Sequence, residues 1–297
     1  MRTAIAVMSG CILLLFTGNQ AISQDSYLDM DRVHRDDPSV VVNRPVNVQG
    51  LTGLIITNSA YTQRKGRIVA GLASIAENSD SPDFSILQGI ATITAGITDR
   101  IEVGIRAQAF GTNLGSSATR EVGVGDTDFL IKWRATSQGE TLPAIALGLG
   151  YTLGTGNSDK GLSGVEHQSA RLLVIGTSET EMPGDYFIGI YFEGQLVYSD
   201  RVLWSSPPSS SEKYGVINAG LLLPLSEDRR MQVLLEYNGV FKKDIPTVYE
   251  QNSQSFMPGL RYVTPNLNIS VGVQFYDRED ENAPDNVRYI GTLSYAF

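Results

Sequence analysis

The chain has 297 residues, 32 acidic against 23 basic side chains, a formal net charge of −9, 30 glycines and one cysteine. An acidic chain of this kind argues against a nucleic-acid-binding surface, so no nucleic-acid partner is expected. With Cys11 as the sole thiol there is no internal disulfide and no thiolate metal site, and the expectation is no metal and no cofactor.

The first residues, "MRTAIAVMSGCILLLFTGNQAIS", carry a basic Arg2, an apolar run through Phe16 and small residues at Ala21 and Ser23. That is the pattern of a secretory signal peptide over 1–23, cleaved after Ser23. Met8-Ser9-Gly10-Cys11 offers a lipoprotein-type alternative, but the apolar core follows Cys11 where it should precede it. Residues 24–65 form an N-terminal periplasmic segment on this reading. Its first half is charged and low in apolar content. Val48 to Tyr61 is apolar enough to order, as a lumen plug or an inner-wall segment.

From about Lys65 the sequence returns again and again to period two. "RIEVGIRAQAF" sets Ile101, Val103, Ile105, Ala107 and Ala109 against Glu102, Gly104, Arg106 and Gln108. "LPAIALGLGYTL" sets Ile145, Leu147, Leu149, Tyr151 and Leu153 against alanine, glycine and threonine. Alternation of this length specifies strands between two different environments. About twelve strands are expected, near 67–77, 84–97, 100–110, 122–135, 142–154, 167–178, 184–198, 212–225, 229–242, 253–264, 267–278 and 286–297. Their connections alternate between short ("TD", "SQGE", "SETEMPG", "SEDR", "TPN") and long polar ones such as "GTGNSDKGLSGVEH". Large aliphatics fill one face, with Trp133, Tyr151, Tyr186, Tyr262 and Tyr289 near strand ends; the other face reads as small, polar or charged, fit for a wet lumen.

The fold class is therefore all-β: a transmembrane antiparallel up-and-down β-barrel over 66–297, with short periplasmic turns and long extracellular loops. An even strand number returns both chain ends to the periplasmic side. The last strand, "VRYIGTLSYAF", closes the barrel against the first and removes both edges. Its terminal Phe297 resembles the signal by which barrel-assembly machinery recognises its substrates. Outer-membrane lipid and lipopolysaccharide are the expected surroundings.

Charge is densest inside strands three and four, where Glu102, Arg106, Asp126, Asp128, Lys132 and Arg134 point inward by parity. A register that sets Glu102 opposite Lys132 also sets Arg106 opposite Asp128, and a shift by two residues either way loses at least one pair. Glu193, Glu236, Lys242, Arg261 and Arg288 face inward as well, giving a mixed lumen. These charges serve either as a constriction that selects or orients solutes, or as pairs that neutralise and stiffen the wall.

"GITDRIEVGI", "GVGDTDFLIKWR" and "LPAIALGLGYTLGTGN" together resemble the outer-membrane proteins called the MetA-pathway of phenol degradation family. The upstream "VQGLTGLIITNSAYTQRKGRIVAG" is similar to the opening of related YjbH-type barrels associated with exopolysaccharide secretion, although Ser59-Ala60-Tyr61 departs from the usual stretch. The resemblance covers about 48–157. It implies a porin-like barrel taking up small aromatic or hydrophobic solutes, and brings no catalytic residues.

Catalytic look-alikes are weak. His167 and Ser169 share a strand face, but that face is the lumen, where a lipid hydrolase has no use for them. "GLGYTLGTGNSDKG" lacks the Gly-Lys-Ser/Thr ending of a phosphate loop, and no helix is expected after it. Ser210 and Lys213 lie in a Pro/Ser-rich loop, and the acidic "DREDENAPDN" reads as a solvated loop tip. The sequence thus points to a non-enzymatic outer-membrane channel or transporter for small solutes, with an accessory role in polysaccharide export or envelope assembly as the alternative.

Overall fold

The computed structural model describes residues 44–78, 84–114, 121–139, 142–156, 168–182, 186–199, 212–226, 228–242, 253–278 and 287–297. All of them lie in one compact unit spanning residues 38–297. The signal peptide, Cys11, His167, Ser210 and most of the acidic loop lie outside the described residues.

Twelve strands run in chain order: β1 (Ile68–Asn78), β2 (Phe84–Thr98), β3 (Ile101–Leu114), β4 (Glu121–Thr136), β5 (Ala144–Leu153) and β6 (Ser169–Met182). Then follow β7 (Tyr186–Ser199), β8 (Glu212–Pro224), β9 (Met231–Lys242), β10 (Ser253–Val263), β11 (Leu267–Arg278) and β12 (Val287–Ala296). Each pairs antiparallel with its sequence neighbours, and β1 pairs with β12 from Val69↔Ala296 to Asn78↔Val287, so the barrel is closed. The terminal residue is held too: the Phe297 N–H donates to the Ile68 carbonyl at 2.9 Å, and its ring meets Tyr295 edge-on.

Two strands outrun expectation. β3 continues to Leu114, and β6 continues to Met182 through most of the stretch read as the turn "SETEMPG". Both extensions are polar, so no apolar alternation marked them.

The outer face carries the large hydrophobics. Ile93, Leu149 and Leu196 are 58%, 58% and 68% exposed, and Ile97, Ile105, Ile131, Ile190 and Val271 are exposed beside them. No water-facing sheet tolerates an apolar girdle of this extent, whereas lipid requires it. Trp133, Tyr262 and Phe297 edge this surface at the short-turn end, and Tyr151, Tyr198 and Tyr289 stand nearer the long-loop end. Pro258 lies in β10, where the ladder to β11 is interrupted between Phe256↔Phe275 and Gly259↔Gly272; proline has no N–H to donate there.

The β8–β9 turn is held by Asp228, which accepts from the Ser226 hydroxyl at 2.6 Å and the Arg230 N–H at 3.2 Å. These bonds, the hydroxyl first, hold its carboxyl below the usual aspartate range. A depressed folded value stabilises above the unfolded pKa of about 4 and is lost as pH falls through the lower folded one. Acid unfolding of Asp228→Asn, followed by circular dichroism, is expected to lack that small contribution.

The inner face, expected to be small, polar or charged, also carries large apolar side chains. Phe187, Tyr191, Leu222, Leu234, Met257 and Ile290 point inward and form one dry cluster with Val48, Leu54 and Ile55. Leu130, Leu173 and Ile175 form a second with Leu51, Ala60 and Tyr61. Where residues 44–65 cover it, the inner wall carries these apolar side chains among buried polar and charged ones.

Candidate functional site: a chain segment seated on buried carboxylates

Residues 44–65 have no ladder of their own beyond isolated bridges, Val46↔Thr52 and Gly53↔Asn58 within the segment and Lys65↔Gly96 to the wall. Local chemistry folds them. The Asn47 side-chain oxygen accepts from the Gln49 and Leu51 N–H groups, its amide donates to Asn58 Oδ1 at 2.9 Å, and Gly50 takes φ +89° to complete the turn. A coil buried in a barrel must still satisfy its main chain. Here the wall does so.

Three inward carboxylates hold the segment. Glu102 accepts from the Thr52 N–H at 2.9 Å, the Thr52 hydroxyl at 2.7 Å and the Gln63 N–H at 2.8 Å. Glu236 accepts from the successive N–H groups of Ile55, Ile56 and Thr57, at 2.9, 3.0 and 2.7 Å. Glu193 accepts from the Asn58 N–H and its side-chain amide, and from Asn218 and Gln195. Charge-assisted bonds of this kind are about twice as strong as neutral ones.

Cations and hydroxyls complete the seat. Lys132 is fully buried and uses all three protons, on Glu102 Oε1 at 2.8 Å, the Ser59 carbonyl at 2.7 Å and the Thr52 carbonyl at 3.3 Å. Arg261 donates to the Gly53 carbonyl, Thr94 to the Gly50 carbonyl, and Thr177 Oγ1 accepts from the Ala60 N–H. Toward the short-turn end, Arg44 stacks 3.5 Å from the centre of the Tyr61 ring, while Arg134 approaches the same ring and donates to the Asp99 carbonyl. Glu179 accepts from the Tyr191 hydroxyl and lies 3.6 Å from Arg44.

Wall glycines make room. A Cβ on Gly104 would lie 2.2 Å from the Gly50 carbonyl oxygen, and one on Gly96 would lie 1.9 Å from that of Arg64. Gly259 and Gly272 face each other across β10 and β11, and the Ile55 side chain fills the space they leave.

The register follows the charges, with Glu102↔Lys132 and Arg106↔Asp128 both cross-strand partners. The second pair belongs to a separate cluster toward the long-loop end. Asp128 accepts from Arg106 at 2.7 Å, Arg171 at 2.8 Å and the Thr152 hydroxyl at 2.5 Å. Asp126 turns to the Gly156 N–H instead. Arg288 pairs with Glu77 and donates to the Tyr276 hydroxyl, on the β1–β12 side. The Lys242 side chain lies outside the described residues.

Sequence reasoning passed over Asn58, Thr177, Glu179 and Arg171 as site residues. Arg171 was legible, since it shares by parity the lumen face assigned to His167 and Ser169. The seating role of Asn58 had no sequence signal, because it depends on where Glu193 meets the coil. Ser169 donates to the Thr152 hydroxyl, which leaves it in a structural bond.

No family model matches the chain, and no curated protein matches it. Among solved structures it is similar to the COG4313 outer membrane channel from Pseudomonas putida F1, at 13% identity and a TM-score of 0.62, covering 80% of this chain and 98% of that one. The KdgM porin (9% identity, TM-score 0.48, 76% and 99% covered) and LpxR from Salmonella typhimurium (12%, 0.48, 76% and 99%) match less well. At such identities the similarity to the first is one of fold: a closed barrel of the outer-membrane type.

Proposed function

We propose that the chain is a bacterial outer-membrane channel for small solutes, held shut by residues 44–65 and opened when that segment leaves its seat. The observation that carries this reading is the nature of the seal. Glu102, Glu193 and Glu236 are buried carboxylates, and each accepts at least one main-chain N–H of a segment without strand structure, Glu236 three of them. A wall that only needed filling would do as well with apolar side chains, since buried charge adds little net stability. Polar bonds to a coil can be exchanged for bonds to water, so the segment is separable from the wall.

The signal peptide over 1–23, barrel assembly through the terminal strand, and contact with phospholipid and lipopolysaccharide belong to the same reading. So does membership of the MetA-pathway of phenol degradation family, supported by the motifs in β2 to β5 and by the fold. Above the seat the lining carries Gln88, Gln108, Asn238 and Gln274 beside Tyr276, which favours solutes with polar groups over pure hydrocarbons.

Liposome swelling in arabinose and glycine tests the reading. Full-length protein is expected to give slow flux, and deletion of residues 44–63 at least a tenfold rise. Deletion without any rise, in a barrel that still melts cooperatively, would overturn it in favour of the accessory role.

A further inference from the structure

We infer that the Arg106–Asp128–Arg171 cluster is a binding site for the carboxylate of a small organic acid on its way through the lumen. The inference rests on the channel reading and names its class of solute. Two guanidiniums share one carboxylate, so a positive charge is left over within the cluster. Arg106 makes one hydrogen bond, through Nη1 to Asp128, and Arg171 makes two, both through Nη2, to Asp128 and Thr152. Arg106 Nε is buried with no partner at all. Of ten guanidinium protons few are used, in a protein where buried donors are normally paired.

The geometry favours a planar anion. Asp128 fixes both arginines from one side, through Oδ2 to Arg106 and Oδ1 to Arg171, and is itself fixed by Thr152. Both arginine side chains stay partly open to the lumen, at 15% and 13% exposure, while Asp128 is closed off at 1%. The two arginines therefore keep part of their surface open to the lumen, and the carboxylate does not, while Arg106 Nε remains a buried donor without a partner. A planar fork of this type matches a carboxylate with two parallel bonds. Gln108 lies two residues beyond Arg106 on the same face and accepts from Gln88 at 2.7 Å, offering amide contacts beside the anion. Arg106 also covers the segment beneath it, with its Cβ 3.3 Å from where a Gly50 Cβ would stand. A solute held by the pair would rest directly on the plug.

Benzoate and benzamide provide the test, being the same ring with and without charge. Full-length protein in detergent is expected to bind benzoate, read by saturation-transfer NMR and calorimetry, with benzamide at least tenfold weaker. Arg171→Gln and, separately, Arg106→Gln should each weaken benzoate at least tenfold, leaving the other arginine paired with Asp128 and the melting curve intact. Arg288→Gln, an equal loss of charge outside the cluster, should leave benzoate binding within twofold. Equal binding of benzoate and benzamide, an equal loss in Arg288→Gln, or phosphate displacing benzoate at equal concentration would each overturn the site. Flux through the deletion barrel with no benzoate binding would overturn this inference and leave the channel standing; absence of both would overturn both.

Discussion

Glu102→Ala is expected to lower the stability of the folded barrel by about 3–5 kcal/mol, the usual result of stripping one partner from a fully buried ion pair. Lys132 would keep its charge and only the Ser59 and Thr52 carbonyls, with no exposure to water at 0% accessibility. The same change removes the acceptor of three donors from the segment, so residues 52 and 63 lose their anchors together. Removing both charges, as Glu102→Leu with Lys132→Met, should recover a large part of the loss, because no uncompensated ion remains. Urea unfolding of the two variants in detergent micelles measures this. A double variant as unstable as the single would show that the pair acts through something other than charge compensation.

Gly104→Val should unseat the segment without touching any charge. Its Cβ would stand 2.2 Å from the Gly50 carbonyl oxygen, which is main chain and cannot rotate aside. The Gly50 turn, already committed to φ +89°, would have to move away from β3 and give up the Thr94 bond. The expected result is faster proteolysis within residues 44–65 and a rise in solute flux of the same order as deletion. Gly176→Ala is the control, since nothing lies within 4 Å of the new methyl group. Unchanged proteolysis in Gly104→Val would mean that the coil slides past the wall at little cost.

The two results bear on how much of this molecule its sequence reveals. Period-two alternation located all twelve strands to within a few residues, because lipid outside and a lining inside impose opposite preferences on successive side chains. Opposite charges set the β3–β4 register for the same reason, each inward ion needing its partner at the same height. The long-loop end of β3 and the turn end of β6 were illegible, since polar strand and polar loop look alike. The filled lumen was half legible. Val48 to Tyr61 stood out as apolar, and its counterpart was present in "RLLVIG" of β6, "LLLP" of β8 and "VLLEY" of β9, where both faces are apolar and alternation fails. Those failures mark where the segment packs, as Leu173, Leu222 and Leu234 show. Which main-chain group meets which carboxylate depends on the path of the coil in three dimensions, and no local pattern encodes it.

The central claim is that residues 44–65 must leave their seat for solute to pass. Ser59 Oγ and Thr177 Oγ1 lie 3.5 Å apart, one on the segment and one on the wall, close enough for cysteines in their place to form a disulfide. In a chain with Cys11 replaced by serine, Ser59→Cys with Thr177→Cys and with Gly104→Val to loosen the seat gives a barrel whose plug is locked when oxidised. Single-channel conductance of that barrel should be near zero oxidised and rise at least tenfold on adding reductant, reversibly. Equal conductance in the two redox states, with the disulfide confirmed by mass spectrometry, would contradict the account.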